Sequence, residues 1–121
     1  MKIVLDNCVH YGAKSLFPGH DVLHARDLGW RELSNGQLIA QAAAQFDVLA
    51  TTDKKMRYEQ NLTELPISIL ELNSRFTRIA DLLSLAPHIQ AALAATAAFR
   101  FVSVRPDGQL DCLGPRSSAL P

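Results

Sequence analysis

Lys2-Ile3-Val4-Leu5-Asp6 and Phe46-Asp47-Val48-Leu49-Ala50-Thr51-Thr52-Asp53 are two short, largely apolar runs, and each ends on an acid. Runs of this kind suit strands buried on both faces, as in a parallel sheet covered by helices. Strands are therefore predicted over 2–6 and 46–52, delivering Asp6 and Asp53 to a common C-terminal edge. Between them, residues 9–17 read as a helix stopped by Pro18-Gly19, and Asp21-Val22-Leu23-His24-Ala25 as a second strand. Ser34 followed by Gln37 has the form of a capping box. Leu38, Ile39, Ala42, Ala43 and Phe46 then recur at helical spacing, which predicts a helix over 35–45.

Downstream, Pro66-Ile67-Ser68-Ile69-Leu70-Glu71-Leu72 reads as a fourth strand. Ile79, Leu82, Leu83 and Ala86, then Ile89, Leu93 and Ala97, line an apolar helical face, with Pro87 in the first turn of its second segment. Residues 99–104 and 109–113, joined by Arg105-Pro106-Asp107-Gly108, form a terminal strand or hairpin. This alternation predicts an α/β sandwich around a mostly parallel sheet, one domain over 1–113, with 114–121 a frayed tail.

Composition narrows the function classes. The 121 residues carry 12 Lys+Arg and 12 Asp+Glu and are 48% hydrophobic, the balance of a globular chain rather than a disordered one. Seven bases meet seven acids in residues 1–60, and five meet five in 61–121, which excludes a strongly basic coating protein. Cys8 and Cys112 make no C-x-x-C pair, and with His10, His20, His24 and His88 they build no zinc-finger spacing. The charge-free run Leu82–Phe99 contains Ser84, Pro87, His88, Gln90 and Thr96 and reads as core helix rather than membrane span. Residues 1–5 are too short for the apolar region of a signal peptide, so a reduced, cytoplasmic setting is expected.

Ligands of open α/β sheets collect beyond the C-terminal strand ends. Two acids converging there can hold a hard divalent cation such as Mg²⁺ or Mn²⁺, which activates water in phosphodiester hydrolysis. The same acids also serve as turn formers and caps.

Taken together, several motifs resemble the PIN-like family of small bacterial nuclease-type domains, related in fold to VapC-type toxins. They are Ile3-Val4-Leu5-Asp6-Asn7-Cys8-Val9, Gly19-His20-Asp21-Val22, and Gly29-Trp30 with Leu33-Ser34-Asn35-Gly36. Phe46-Asp47-Val48-Leu49, Thr52-Asp53-Lys54-Lys55-Met56 and Tyr58-Glu59-Gln60-Asn61-Leu62 complete the set, so the likeness covers residues 1–72. It implies a PIN-like α/β/α sandwich and a metal-dependent ribonuclease with Mg²⁺ or Mn²⁺ held by Asp6 and Asp53. It also implies the toxin role in a toxin-antitoxin pair, with a small antitoxin docked over the active edge.

The chain departs from the family in its acids. Asn7 stands beside the first, and Asn35 stands where many relatives carry an acid at the start of the second helix. An amide oxygen coordinates a cation but adds no charge, so a reduced acidic site is expected. Asn7, Asn35 and Glu59 are the further candidate ligands; Asn35 also fits a neighbour of the helix cap, and Glu59 a solvated helix residue near Arg57. Lys54, Lys55 and Arg57 are candidates for RNA phosphates. Trp30 reads as a packing residue with base stacking as its alternative, and Cys8 as a buried small hydrophobe.

Two other functions stay open. One is a degenerate PIN-like module that binds RNA or protein without cutting. The other is a receiver-like phosphoacceptor domain, with Asp53 as acceptor, although Asn7 replaces its second acid and Arg105 follows the strand where a Lys is expected. The apolar helices after residue 76 and the C-terminal hairpin can equally support a homodimer or the core.

Overall fold

The computed structural model describes residues 1–116. Six strands, β1 (Lys2–Leu5), β2 (Asp21–His24), β3 (Val48–Thr51), β4 (Ser68–Leu72), β5 (Phe99–Val104) and β6 (Leu110–Pro115), form one sheet in the order β2-β1-β3-β4-β5-β6. The first five are parallel, and β6 returns antiparallel along β5 through the predicted hairpin. Helices α1 (Asn35–Ala43), α2 (Met56–Glu59), α3 (Ile79–Leu83) and α4 (Ile89–Ala95), with 3-10 turns at Tyr11–Leu16, Ala25–Leu28 and Ala86–His88, complete a mixed α/β sandwich.

Strand side chains alternate between faces, and that period sorts the core into two layers. Ile3, Leu5, Leu70, Leu72, Val102 and Val104 pack on one side with Leu16, Phe17, Leu82, Ile89 and Leu93. Val4, Leu49, Ile69 and Phe101 pack on the other with Leu38, Ile39, Ala42 and Met56. Both faces of the central strands are thus covered, which explains why β1 and β3 read as nearly continuous apolar runs, while β4 also buries Ser68 and Glu71.

The elements depart from expectation where side chains compete for backbone groups. The helix predicted over 9–17 is a shorter 3-10 turn, because the His24 imidazole holds the Val9 carbonyl at 2.9 Å and the His10 Nδ1 caps the Gly12 N–H at 2.9 Å. The third strand begins at Val48, not Phe46. The Phe46 N–H closes the end of α1 on the Ala42 carbonyl at 2.8 Å, and Asp47 accepts the Lys2 N–H at 2.8 Å through its carboxylate. The Ser34 and Gln37 capping box forms as predicted. β6 runs through Gly114 and Pro115, so the frayed tail predicted from 114 does not begin there; residues 117–121 of it lie outside the described residues. Gly114 adopts φ +61°, where a Cβ would run into the Leu62 carbonyl, so glycine is required at this corner.

Candidate functional site

The chain reverses its direction of travel across the sheet between β1 and β3: β2 lies on one side of β1, and β3 on the other. That crossover opens a crevice at the C-terminal strand ends, where ligands of such sheets bind. Asp6 leaves β1 there and Asp53 follows β3, and both line an open cleft of about 460 Å³ with Asn7, Cys8, Asn35 and Thr52.

A single hydroxyl holds the two acids in register. Thr51 Oγ1 donates to Asp6 Oδ2 at 2.8 Å and accepts the Asp53 backbone N–H at 3.0 Å. Asp6, only 5% exposed, also receives the Asn7 N–H on Oδ1 at 2.7 Å, and its own N–H reaches the Ala50 carbonyl at 2.8 Å. Asp53 Oδ1 accepts the Lys55 N–H at 2.9 Å, as the acid of an Asx turn that starts α2. Each carboxylate is anchored by a backbone donor, and Asp6 Oδ1 and both Asp53 oxygens retain lone-pair capacity.

The two asparagines play different parts. Asn7 Nδ2 donates to the Trp30 carbonyl at 3.0 Å, tying β1 to the loop below, while its Oδ1 is buried with no partner. Asn35 Nδ2 lies between two acids, 3.3 Å from Asp53 Oδ2 and 3.4 Å from Glu59 Oε1. Its amide protons therefore take up the space between these carboxylates that a cation could otherwise share. Glu59 is thereby tied to the site, and Arg57 is not its partner.

Hard divalent cations take carboxylate, amide and water oxygens. Asp6 and Asp53 line one cleft with Asn7, whose buried Oδ1 has no other partner, so the donor types present suit Mg²⁺ or Mn²⁺. The set is lean: among the described residues no three His, Cys, Asp or Glu stand close enough to share an ion.

The three cations after Asp53 diverge. Lys54 reaches the Ser74 carbonyl at 3.0 Å, and the Lys55 side chain is exposed. Arg57 turns inward, pairing with buried Glu71 at 3.1 Å and lying over the Phe101 ring at 5.2 Å. With Lys54, Tyr58, Asn73, Arg105 and Asp111 these two line a second, smaller cleft of about 190 Å³. In it Arg105 donates to both Asp111 oxygens, at 2.9 and 2.8 Å, and this bonding holds the Asp111 carboxyl below its ordinary pKa.

Trp30 is half-buried and meets Phe46 edge-on at 6.0 Å, a packing role. His24 is buried with Nε2 on the Val9 carbonyl and Nδ1 accepting the Arg26 N–H at 3.2 Å, which leaves it no free nitrogen for a ligand. Cys8 is a correction: it is exposed on the cleft wall, 3.6 Å from Asp6 Oδ2 and 3.3 Å from the Thr52 hydroxyl, not buried. It follows a strand end, where the chain turns out of the sheet. Sequence reading also missed Thr51, Arg31 and Thr77, the latter two on the cleft wall. For Thr51 a signal existed, since a polar residue in an otherwise buried apolar strand needs a partner.

The chain matches no family model, no curated protein and no solved structure. Among the described residues, no helix is long and apolar enough to cross a membrane.

Proposed function

We propose that this chain is a Mg²⁺- or Mn²⁺-dependent ribonuclease of the PIN-like kind, acting as the toxin of a toxin-antitoxin pair. The observation that supports the catalytic part is that Asp6, Asp53 and Asn7 line one cleft at the sheet crossover, with Asn7 Oδ1 buried and without a partner. The toxin role and a protein antitoxin rest on the family likeness of residues 1–72.

Asp6, Asp53 and Asn7 Oδ1 would hold the ion. Bound there, it would lower the pKa of a coordinated water and offset charge on the phosphate. The chain's own residues do the positioning. Thr51 fixes the spacing of the acids, the Asn7 and Lys55 N–H groups orient their carboxylates, and Lys54 and Lys55 meet the flanking phosphates without reading sequence.

The test is cleavage of mixed single-stranded RNAs in Mn²⁺ by wild type, Asp6→Asn and Asp53→Asn, with circular dichroism confirming that each folds. Cleavage by wild type alone is expected. Equal cleavage by all three, or by none, overturns the reading.

A non-cutting PIN-like module is favoured by one specific observation, the Asn35 amide nitrogen between Asp53 and Glu59. Titration calorimetry separates the readings, since this module would bind RNA and show no Mn²⁺ heat. A phosphoacceptor domain shares the 2-1-3-4-5 order of the first five strands. Its late cation, Arg105, is however held by Asp111 rather than left to reach Asp53. Failure of Asp53 to take up phosphate from acetyl phosphate is the expected result.

A further inference from the structure

The loop Asn73–Arg78 touches both clefts. Asn73 lines the smaller cleft and Thr77 the acidic one, and Phe76, next to Thr77 in sequence, is 50% exposed. The loop is held rather than loose. Lys54 Nζ binds the Ser74 carbonyl at 3.0 Å, the buried Ser74 hydroxyl binds the Phe76 carbonyl, and Asn73 Nδ2 reaches Ser103 at 3.2 Å.

Two guanidiniums, of Arg75 and Arg78, each lie 5.2 Å from the centre of the Phe76 ring. Arg78 is paired with Asp81 at 2.9 Å, whereas Arg75 makes no ion pair among the described residues. A half-exposed aromatic ring with guanidiniums lying over it is a poor surface for an apolar protein face, since docking would desolvate both guanidiniums. It suits a single-stranded nucleic acid, whose bases stack on the ring and the guanidinium planes beside it and whose phosphates meet the arginines.

We infer that Asn73–Arg78 is a stacking platform for single-stranded RNA, with Phe76 holding the base next to the phosphate seated at Asp6 and Asp53. This inference rests on the ribonuclease reading and names how that site takes its substrate. A strand passing along the loop brings its next phosphate toward the smaller cleft, where Lys54 is exposed while Arg57 and Arg105 are paired with Glu71 and Asp111. Stacking is indifferent to base identity, so the platform binds without strong sequence preference. Tyr58, 82% exposed on the rim of that cleft, offers a second ring along the same path.

The experiment is fluorescence anisotropy of a fluorescein-labelled mixed-sequence RNA oligonucleotide with the full chain in EDTA. Phe76→Ala should bind about tenfold more weakly, the scale that one stacked base contributes. Phe76→Trp should bind as wild type and have its new indole emission quenched by the RNA, which a merely structural role would not produce. With Mn²⁺ added, the Phe76→Ala loss should fall chiefly on KM. Arg75→Ala should flatten the salt dependence of binding.

Wild-type affinity in Phe76→Ala overturns the platform, even where Asp53-dependent cleavage upholds the nuclease. Binding that depends on Phe76 without Mn²⁺-dependent cleavage upholds the platform and overturns the nuclease. Absence of RNA binding by the wild type overturns the platform outright, as does an unquenched Phe76→Trp that binds RNA.

Discussion

Replacing Asn35 by Asp tests whether the acidic cleft is one functional unit. The amide now donates to Asp53 at 3.3 Å and to Glu59 at 3.4 Å, and an Asp in its place donates to neither. Hydrogen bonds to charged acceptors contribute more than neutral ones, but these two are long, and Glu59 is exposed. Their loss, together with screened repulsion among three carboxylates, should cost about 1–2 kcal/mol in the absence of metal. For a chain of this size that lowers Tm by about 4–8 °C.

Metal should reverse the sign. A third carboxylate raises affinity for a hard cation, and 1 mM Mn²⁺ at about 100 times Kd returns about 2.7 kcal/mol. Differential scanning fluorimetry of wild type and Asn35→Asp, each in EDTA and in Mn²⁺, reads all four states. The expected pattern is a less stable variant in EDTA and a larger Mn²⁺ stabilisation than in wild type. A variant destabilised in EDTA that gains no more from Mn²⁺ than wild type does would refute the convergence of these acids on a cation site. Unchanged stability in EDTA would refute the bridging role of the amide.

Removing the Thr51 hydroxyl leaves a buried Asp6 oxygen and the Asp53 N–H short of a partner, so Thr51→Val should cost about 1.5–3 kcal/mol in urea unfolding. Thr51→Ser should stay within about 1 kcal/mol of wild type, and equal effects of the two would place the loss in packing instead. For pH dependence, bonding from Arg105 lowers the Asp111 carboxyl, and the Tyr11 hydroxyl lowers that of Asp27. Groups depressed in the folded state contribute stability that is complete above their unfolded value of about 3.9 and lost as pH falls through the folded value. Urea midpoints should therefore decline below about pH 4, and Asp111→Asn should flatten that decline while lowering the midpoint at neutral pH.

Strand positions were the most legible feature, because burial on both faces forces apolar runs that few other contexts tolerate. The succession of strands and helices and a mostly parallel sheet follow from these runs and from one capping box, whereas the order of strands across the sheet was not predicted. What was not legible depends on contacts across the sheet. The 3-10 turn at Tyr11–Leu16 results from the claim of His24 on the Val9 carbonyl, a pair fifteen residues apart in sequence. Arg57 reads as a surface cation near Asp53, yet it turns under the sheet edge to Glu71, a buried acid whose apolar strand context hides its need for a partner. Asp6, Asn7, Asn35 and Asp53 were named from sequence and share the cleft. That Asn35 acts there through its nitrogen rather than its oxygen depends on side-chain orientation, which no spacing rule reports.

The balance of charges carries a lesson about the site. Twelve acids offset twelve bases, and at the sheet crossover both kinds meet. Asp6 and Asp53 share a cleft with Arg31, Glu59 reaches Asn35 beside them, and Lys54 binds the loop that carries Arg75 and Arg78. Net charge sums over these regions and reports neither. Acids without nearby cations repel a phosphate backbone, and cations without acids bind it without holding a metal. A cleft with one beside the other can draw in a polyanion and still keep carboxylates free for an ion. The adjacency of the two, rather than the size of either, makes phosphodiester chemistry the reading that uses most of this edge of the sheet.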